Sequence, residues 1–140
     1  MFLAITTTGG QLTTVEQAID LDGKIVEISG VSFGGMAGGP RYKRGTQMMR
    51  TQEEADSLLS SLPPCDILIT HEGPYHLFHE DTPHEGFLAI DTYIEKKHPA
   101  LHLFGHQHIR YTGRVKDTIT VCVYRAALIT FPDFSIKNYL

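Results

Sequence analysis

The chain has 140 residues, of which 41% are hydrophobic, and this is enough for one domain with a buried core. Its formal net charge is −4, and the interspersed signs argue against a nucleic-acid-binding surface. Because no apolar stretch is long enough to span a membrane and Met1-Phe2-Leu3 lacks the basic start of a secretion signal, we expect a cytoplasmic protein.

The first half of the chain predicts two helices separated by a pair of strands. Residues 13–19 form a short candidate helix that opens with a capping box. Residues 24–28 and 31–36 predict paired strands joined by a tight turn. Residues 51–61 then predict a capped helix, and Pro63 ends it.

A strand–helix–strand unit follows. Residues 66–70 are a short apolar run typical of a strand buried on both faces, and residues 101–104 predict a second such strand. Between them, residues 83–97 predict a helix, with Thr82 as N-cap and Glu85 completing a capping box. Strands joined through one helix run parallel, so both should end at the same sheet edge, where open α/β sheets bind ligands.

The last part of the chain predicts further strands. Residues 109–114 and 118–124 form a candidate hairpin, and residues 126–131 form one more strand. Together these elements indicate the α/β fold class.

The cysteines Cys65 and Cys122 lie in or beside apolar strands, so we expect buried free thiols rather than a disulfide.

Histidines follow both strands of the strand–helix–strand unit. His71 comes directly after the first strand, while His106 and His108 come after the second. Neutral imidazole is a favoured ligand for Zn, Mn, Fe and Ni. We therefore predict His71, His106 and His108 as metal ligands, against the alternative that they are polar loop residues. The sequence identifies neither a catalytic acid nor a substrate-binding residue.

Neighbouring polar residues leave alternatives open. His76, His79 and His84 could form an additional metal cluster, although a solvated loop is the better interpretation. Glu72 could orient a ligand as a hydrogen-bond acceptor or could simply be solvated. His102, inside an apolar strand, is expected to be a hydrogen-bonded core residue.

Two motifs carry a family resemblance. The T-H-E-G-P segment at 70–74 and the G-H-Q-H segment at 105–108 resemble the last two motifs of the calcineurin-like metallophosphoesterases. The resemblance implies that His71 and His106 share one metal ion and that His108 binds its neighbour. It also implies half of an αββα sandwich, with a mixed sheet and helices on one face, as a single partial domain over residues 1–140.

Other motifs of that family are absent from the sequence. There is no D-x-H, no G-D and no G-N-H-D/E segment, and these supply the carboxylate side of the two-metal site. The resemblance covers roughly residues 21–131, so the chain corresponds to the C-terminal half of such a domain. A shortened gene product, an internal start and a degenerate family member all fit this pattern.

The resemblance implies a metal-dependent phosphoesterase. It would hold one or two divalent ions, Mn, Fe, Zn or Ni, and would act on a phosphoester small molecule or a phosphoprotein. Because only histidine ligands are present, the isolated chain is expected to be weakly active or inactive. A non-catalytic assembly module and a single-zinc hydrolase with three histidines are the alternatives.

Half of a sandwich should leave one apolar sheet face uncovered. The candidate strands carry more apolar residues than the helices at 51–61 and 83–97 can cover. Exposure of a large apolar patch is uncommon in monomers, and most soluble oligomers are two-fold symmetric. We therefore expect either a homodimer or pairing with a missing N-terminal half.

Overall fold

A computed structural model describes residues 5–6, 19–41, 48–78, 80, 84–130 and 132–139, and the fold is built from these residues. Its helices are α1 (Gln52–Ser61), α2 (Tyr75–Phe78) and α3 (Leu88–Lys97). Its strands are β1 (Ile5–Thr6), β2 (Ile19–Asp20), β3 (Ile25–Ile28), β4 (Val31–Met36), β5 (Gly39–Pro40), β6 (Met49–Arg50), β7 (Ile67–Thr70), β8 (Leu101–Phe104), β9 (Tyr111–Val115), β10 (Thr118–Cys122), β11 (Ala126–Thr130) and β12 (Ser135–Tyr139).

A six-stranded mixed sheet with the order β3-β4-β7-β8-β10-β9 forms the centre of the fold. Strands β4, β7, β8 and β10 run parallel, while β3 and β9 pair antiparallel at the two edges. Ile67 pairs with Leu101, so the strands β7 and β8 of the predicted strand–helix–strand unit are direct neighbours. This mixed α/β architecture confirms the predicted fold class.

Helices α1 and α3 pack together on one face of the sheet. Helix α1 begins at the predicted cap, which is a capping box. Thr51 Oγ1 accepts a hydrogen bond from the Glu54 amide at 3.1 Å, and the Glu54 carboxylate accepts one from the Thr51 amide at 2.8 Å. The larger buried side chains of this layer include Met36, Leu59, Leu62, Leu68, Phe87, Ile90, Tyr93 and Ile94.

The start of helix α3 differs from the prediction. The helix begins at Leu88, its N-cap Phe87 has no side-chain capping bond, and Glu85 lies before the helix, so the predicted capping box is wrong. The reason is a pairing with the segment between β7 and α2: the Phe87 amide donates to Gly73 O at 3.1 Å, and Phe87 O accepts from the Tyr75 amide. Thr82 lies outside the described residues.

A hairpin formed by β11 and β12 packs on the opposite face of the sheet. Its second strand was not predicted from the sequence. Ile129, Phe134 and Ile136 of this hairpin pack against buried side chains of β7, β8 and β10, namely Ile67, Leu101 and Val121. Other apolar side chains of this layer are only partly buried: Val31, Phe33, Ile69, Leu103, Ile119 and Val123. The face predicted to lack a cover is therefore partly covered from within the chain.

Three further predictions concern the cysteines, the first helix and membrane-spanning segments. Cys65 and Cys122 are buried free thiols, as predicted. The predicted helix at 13–19 lies outside the described residues except for Ile19, which belongs to β2. Among the described residues, no helix combines the length and apolar character needed to cross a membrane.

Candidate metal centre at the ends of strands β7 and β8

His71 and His106 meet at the carboxyl edge of the sheet. The His71 amide donates to Met36 O at 3.1 Å and His71 O accepts from the Gly105 amide at 3.2 Å, so the backbone at His71 is held between β4 and the end of β8. The His71 Nε2 and His106 Nδ1 atoms lie 3.0 Å apart. Two of the three predicted ligands are thus brought together because β7 and β8 are parallel neighbours.

A tight turn separates His106 from His108. Both residues have left-handed backbone angles, φ 65° and φ 53°. Residues other than glycine rarely adopt this conformation, and those that do are often found at functional sites. His108 is exposed, and its ring lies beside Tyr124, with the ring centroids 5.8 Å apart. The structure therefore does not place the His108 side chain in the pair formed by His71 and His106.

His84 lies against the pair, although the sequence favoured a solvated loop. Its ring centroid is 4.8 Å from that of His106, and its carbonyl oxygen accepts a hydrogen bond from Gln107 Nε2 at 3.0 Å. The loop before α3 reaches the site because Phe87 pairs with Pro74 in the segment after β7. No local sequence pattern signals this contact. His79 lies outside the described residues.

Glu72 is completely buried beside the pair, which rules out the solvated alternative. Its Oε1 atom accepts hydrogen bonds from the Gly73 amide at 2.9 Å and from Gln107 Nε2 at 2.5 Å. Its Oε2 atom lies 3.7 Å from His106 Nε2. A Cβ atom at Gly73 would come within 2.7 Å of the Phe104 ring, so only glycine allows this close packing below the site.

A second buried histidine lies below the site. Thr70 Oγ1 donates to Glu72 O at 2.5 Å, so it accepts from His102 Nε2, which lies 2.8 Å away. His102 is fully buried, and burial lowers its pKa to about 3. His102 is therefore a neutral core residue, as expected, and it supports the backbone that carries Glu72.

The paired histidines are neutral near pH 7. Burial lowers the pKa of His71 below its usual value. Burial is the largest cause that lowers the pKa of His106 to about 4, and electrostatic interactions with His71, His84 and His108 are the smaller causes. Neutral imidazoles keep a lone pair that a metal ion can use, and charged ones do not.

The spacing of the pair suits a single ion. Two nitrogen ligands at about 2.0–2.1 Å from one zinc ion are separated by roughly 2.9–3.4 Å at octahedral or tetrahedral angles. The 3.0 Å between His71 Nε2 and His106 Nδ1 lies in that range. Within the described ranges, no group of three or more His, Cys, Asp or Glu residues is arranged to hold a metal ion. The described residues thus offer a pair of ligands and not a complete set.

Comparison with known proteins establishes the fold and not the family. No protein-family model matches the sequence, and no curated protein is significantly similar to it. The structure of TT1561 from Thermus thermophilus is similar, with 13% identity, a TM-score of 0.63 and coverage of 86% of this chain and 58% of TT1561. A second crystal structure has 20% identity and a TM-score of 0.69, and the match covers 89% of this chain and 55% of that one. The chain therefore spans little more than half the length of either.

Proposed function

We propose that this chain is a metallophosphoesterase-like protein in which His71 and His106 bind a divalent metal ion. The observation that carries the proposal is the 3.0 Å approach of their ring nitrogens at the ends of adjacent parallel strands. Their depressed pKa values support it, because both rings are neutral and able to bind metal near pH 7. The resemblance of the H-E-G-P and G-H-Q-H segments to metallophosphoesterase motifs supports the assignment to phosphoester chemistry.

A bound divalent ion would supply a positive charge for a phosphoester oxygen and would lower the pKa of a bound water molecule. His71 Nε2 and His106 Nδ1 would hold it, and the buried Glu72 and Phe104, the latter packed edge-on against Phe78, lie beside Gly73 near the pair. The carboxylate-bearing motifs of the family are absent, so neutral histidines alone leave the charge of two ions uncompensated. We therefore propose that this chain by itself binds one ion, Mn, Fe, Zn or Ni. The family resemblance makes His108 the ligand of a second ion, which would need the missing carboxylates.

His106→Asn is expected to weaken zinc binding by more than about 100-fold. Loss of a residue that only hydrogen-bonds to a metal ligand typically weakens affinity by roughly 10–100-fold, and loss of the ligand itself should cost more. Asparagine tolerates the left-handed backbone of His106, so the turn is preserved. Isothermal titration of the metal-free chain with Zn²⁺, repeated with Co²⁺ and followed by its visible absorption, measures the affinity.

His98→Asn is the matched control for this experiment. His98 is an exposed residue with a left-handed backbone, φ 51°, at the end of α3 and away from the site. Its replacement should leave the zinc affinity unchanged. The metal proposal is wrong if the natural chain binds neither ion, or if the two substitutions weaken binding equally.

The isolated chain is expected to hydrolyse bis-p-nitrophenyl phosphate poorly or not at all in the presence of Mn²⁺. The reason is the absence of the D-x-H, G-D and G-N-H segments, which would supply the bridging carboxylate. Release of p-nitrophenol measures the rate. Robust turnover that His106→Asn abolishes would show that carboxylate ligands reach the site by a route the sequence motifs do not reveal.

A non-catalytic assembly module is the second candidate function. The partly buried apolar side chains beside the β11–β12 hairpin favour it, because the hairpin does not cover that face completely. A homodimer or a separate N-terminal half would complete the cover. We propose a phosphoester small molecule or a phosphoprotein as the substrate, and a cytoplasmic location. A single-zinc hydrolase is the remaining alternative, and it would require His108 to turn toward His71 and His106.

A further inference from the structure

A fully buried carboxylate needs specific partners. Glu72 has no exposed surface, and an ionised carboxylate without hydrogen bonds is strongly destabilised in such a position. The Gly73 amide and Gln107 Nε2 both donate to Oε1. The other oxygen, Oε2, lies 3.7 Å from His106 Nε2. The arrangement therefore directs one carboxylate oxygen toward the histidine that faces His71.

The two ring nitrogens of His106 face different groups. Nδ1 lies 3.0 Å from His71 Nε2, a hydrogen-bond distance at which one of the two nitrogens donates and the other accepts, and Nε2 faces Glu72. The 3.7 Å separation from Glu72 is longer than a direct hydrogen bond, so in the metal-free chain the carboxylate acts on Nε2 as a nearby buried charge. A carboxylate near Nε2 favours the tautomer with the proton on Nε2, which leaves the lone pair on Nδ1.

Gln107 fixes the position of Glu72. Its Nε2 atom donates both to Glu72 Oε1 at 2.5 Å and to His84 O at 3.0 Å. It thus joins the turn after β8 to the residue after β7 and to the loop before α3. Gln107, the third residue of the G-H-Q-H segment, therefore connects the three segments that carry His71, His84 and His106.

We propose that Glu72, held by Gln107, is a positioning residue that sets the Nε2–H tautomer of His106 and so keeps the lone pair on Nδ1, which accepts from His71 Nε2 in the metal-free chain and would bind a metal ion in its place. This proposal rests on the metal site described under Proposed function. It goes beyond that site because neither Glu72 nor Gln107 is one of its proposed ligands. Metal-binding histidines commonly donate their second ring N–H to a carboxylate, and loss of that partner typically costs 10–100-fold in metal affinity.

The tautomer of His106 is directly measurable. In the metal-free chain at pH 7.5, long-range ¹H–¹⁵N spectra of the histidine rings should show His106 mainly as the Nε2–H form. In Glu72→Gln the carboxylate charge is lost and a competing amide donor is introduced, so the Nδ1–H population should rise. Glu95→Gln, an identical change on the exposed face of α3, should leave the His106 signals unchanged.

A second variant keeps the test valid if Glu72→Gln does not fold. Gln107→Met keeps the Glu72 charge but removes the donor that holds it, so it should raise the Nδ1–H population by a smaller amount. Either variant should lower zinc affinity, by roughly 10–100-fold for Glu72→Gln. If His106 is mainly Nδ1–H in the natural chain, or if neither variant changes its tautomer, the positioning proposal is overturned.

The histidine spectra and the zinc-binding measurements together separate the positioning proposal from the metal-site proposal. A tautomer shift in Glu72→Gln in a chain that binds no zinc would support the positioning role and would overturn the proposed metal site. Zinc binding by the natural chain with an unchanged tautomer in both variants would support the metal site and would overturn the positioning role.

Discussion

Phe87→Ala is expected to lower the free energy of unfolding by about 3–5 kcal/mol, the usual cost of emptying a buried aromatic site. Phe87 has no exposed surface and belongs to the core layer below α1 and α3. The loss is a large fraction of the roughly 5–15 kcal/mol that stabilises a typical domain. Chemical denaturation in urea, followed by far-ultraviolet circular dichroism, measures the change.

The adjacent residue supplies the control. Leu88 is 52% exposed, so Leu88→Ala should change the free energy of unfolding by no more than about 0.5 kcal/mol. Because the backbone bonds of Phe87 to Gly73 and Tyr75 remain in Phe87→Ala, the difference reports the side chain. Equal losses in both variants would mean that the aromatic ring is not part of the core.

Lowering the pH from 6.5 to 5 is expected to destabilise the chain through His102. Burial depresses its folded-state pKa to about 3, while an exposed histidine titrates near 6.5, so below 6.5 the unfolded state binds the proton first. This stabilisation is fully present above pH 6.5 and is lost progressively as the pH falls toward 3. At about 1.36 kcal/mol per pH unit, the loss by pH 5 is on the order of 2 kcal/mol.

Comparison with His102→Gln isolates this contribution. Glutamine can still donate to Thr70 Oγ1 but does not titrate, so the decline of stability with acidity should be shallower. A residual slope of the same sign should remain, because the pKa values of His71 and His106 are also depressed. Identical slopes in the natural chain and His102→Gln would contradict the assignment.

Much of the sheet could be predicted from the sequence because its signals are local. The continuous apolar runs at Ile67–Thr70 and Leu101–Phe104 and the cap at Thr51 depend on residues close to one another in the chain. The approach of His71 to His106 also followed, since parallel neighbouring strands end at one edge. The sequence could thus identify a histidine pair and the edge that carries it.

The remainder of the site depends on contacts between distant segments. Pairing of Phe87 with Pro74 shortened the predicted helix and brought His84 to His106. Burial of Glu72 depends on Gln107, 35 positions away in the chain. Helix signals such as Thr82 and Glu85 describe only local preference, which a favourable long-range pairing can override.

Local pattern by itself determined the α/β class, the parallel strand pair and the placement of His71 and His106 at one sheet edge, because strand period and chain direction require no knowledge of distant partners. Tertiary structure alone decided that the His108 ring packs beside Tyr124 and that the β11–β12 hairpin packs on the second face. The orientation of a side chain on a turn and the docking of a hairpin depend on which distant surfaces it contacts, and those surfaces exist only in the folded chain.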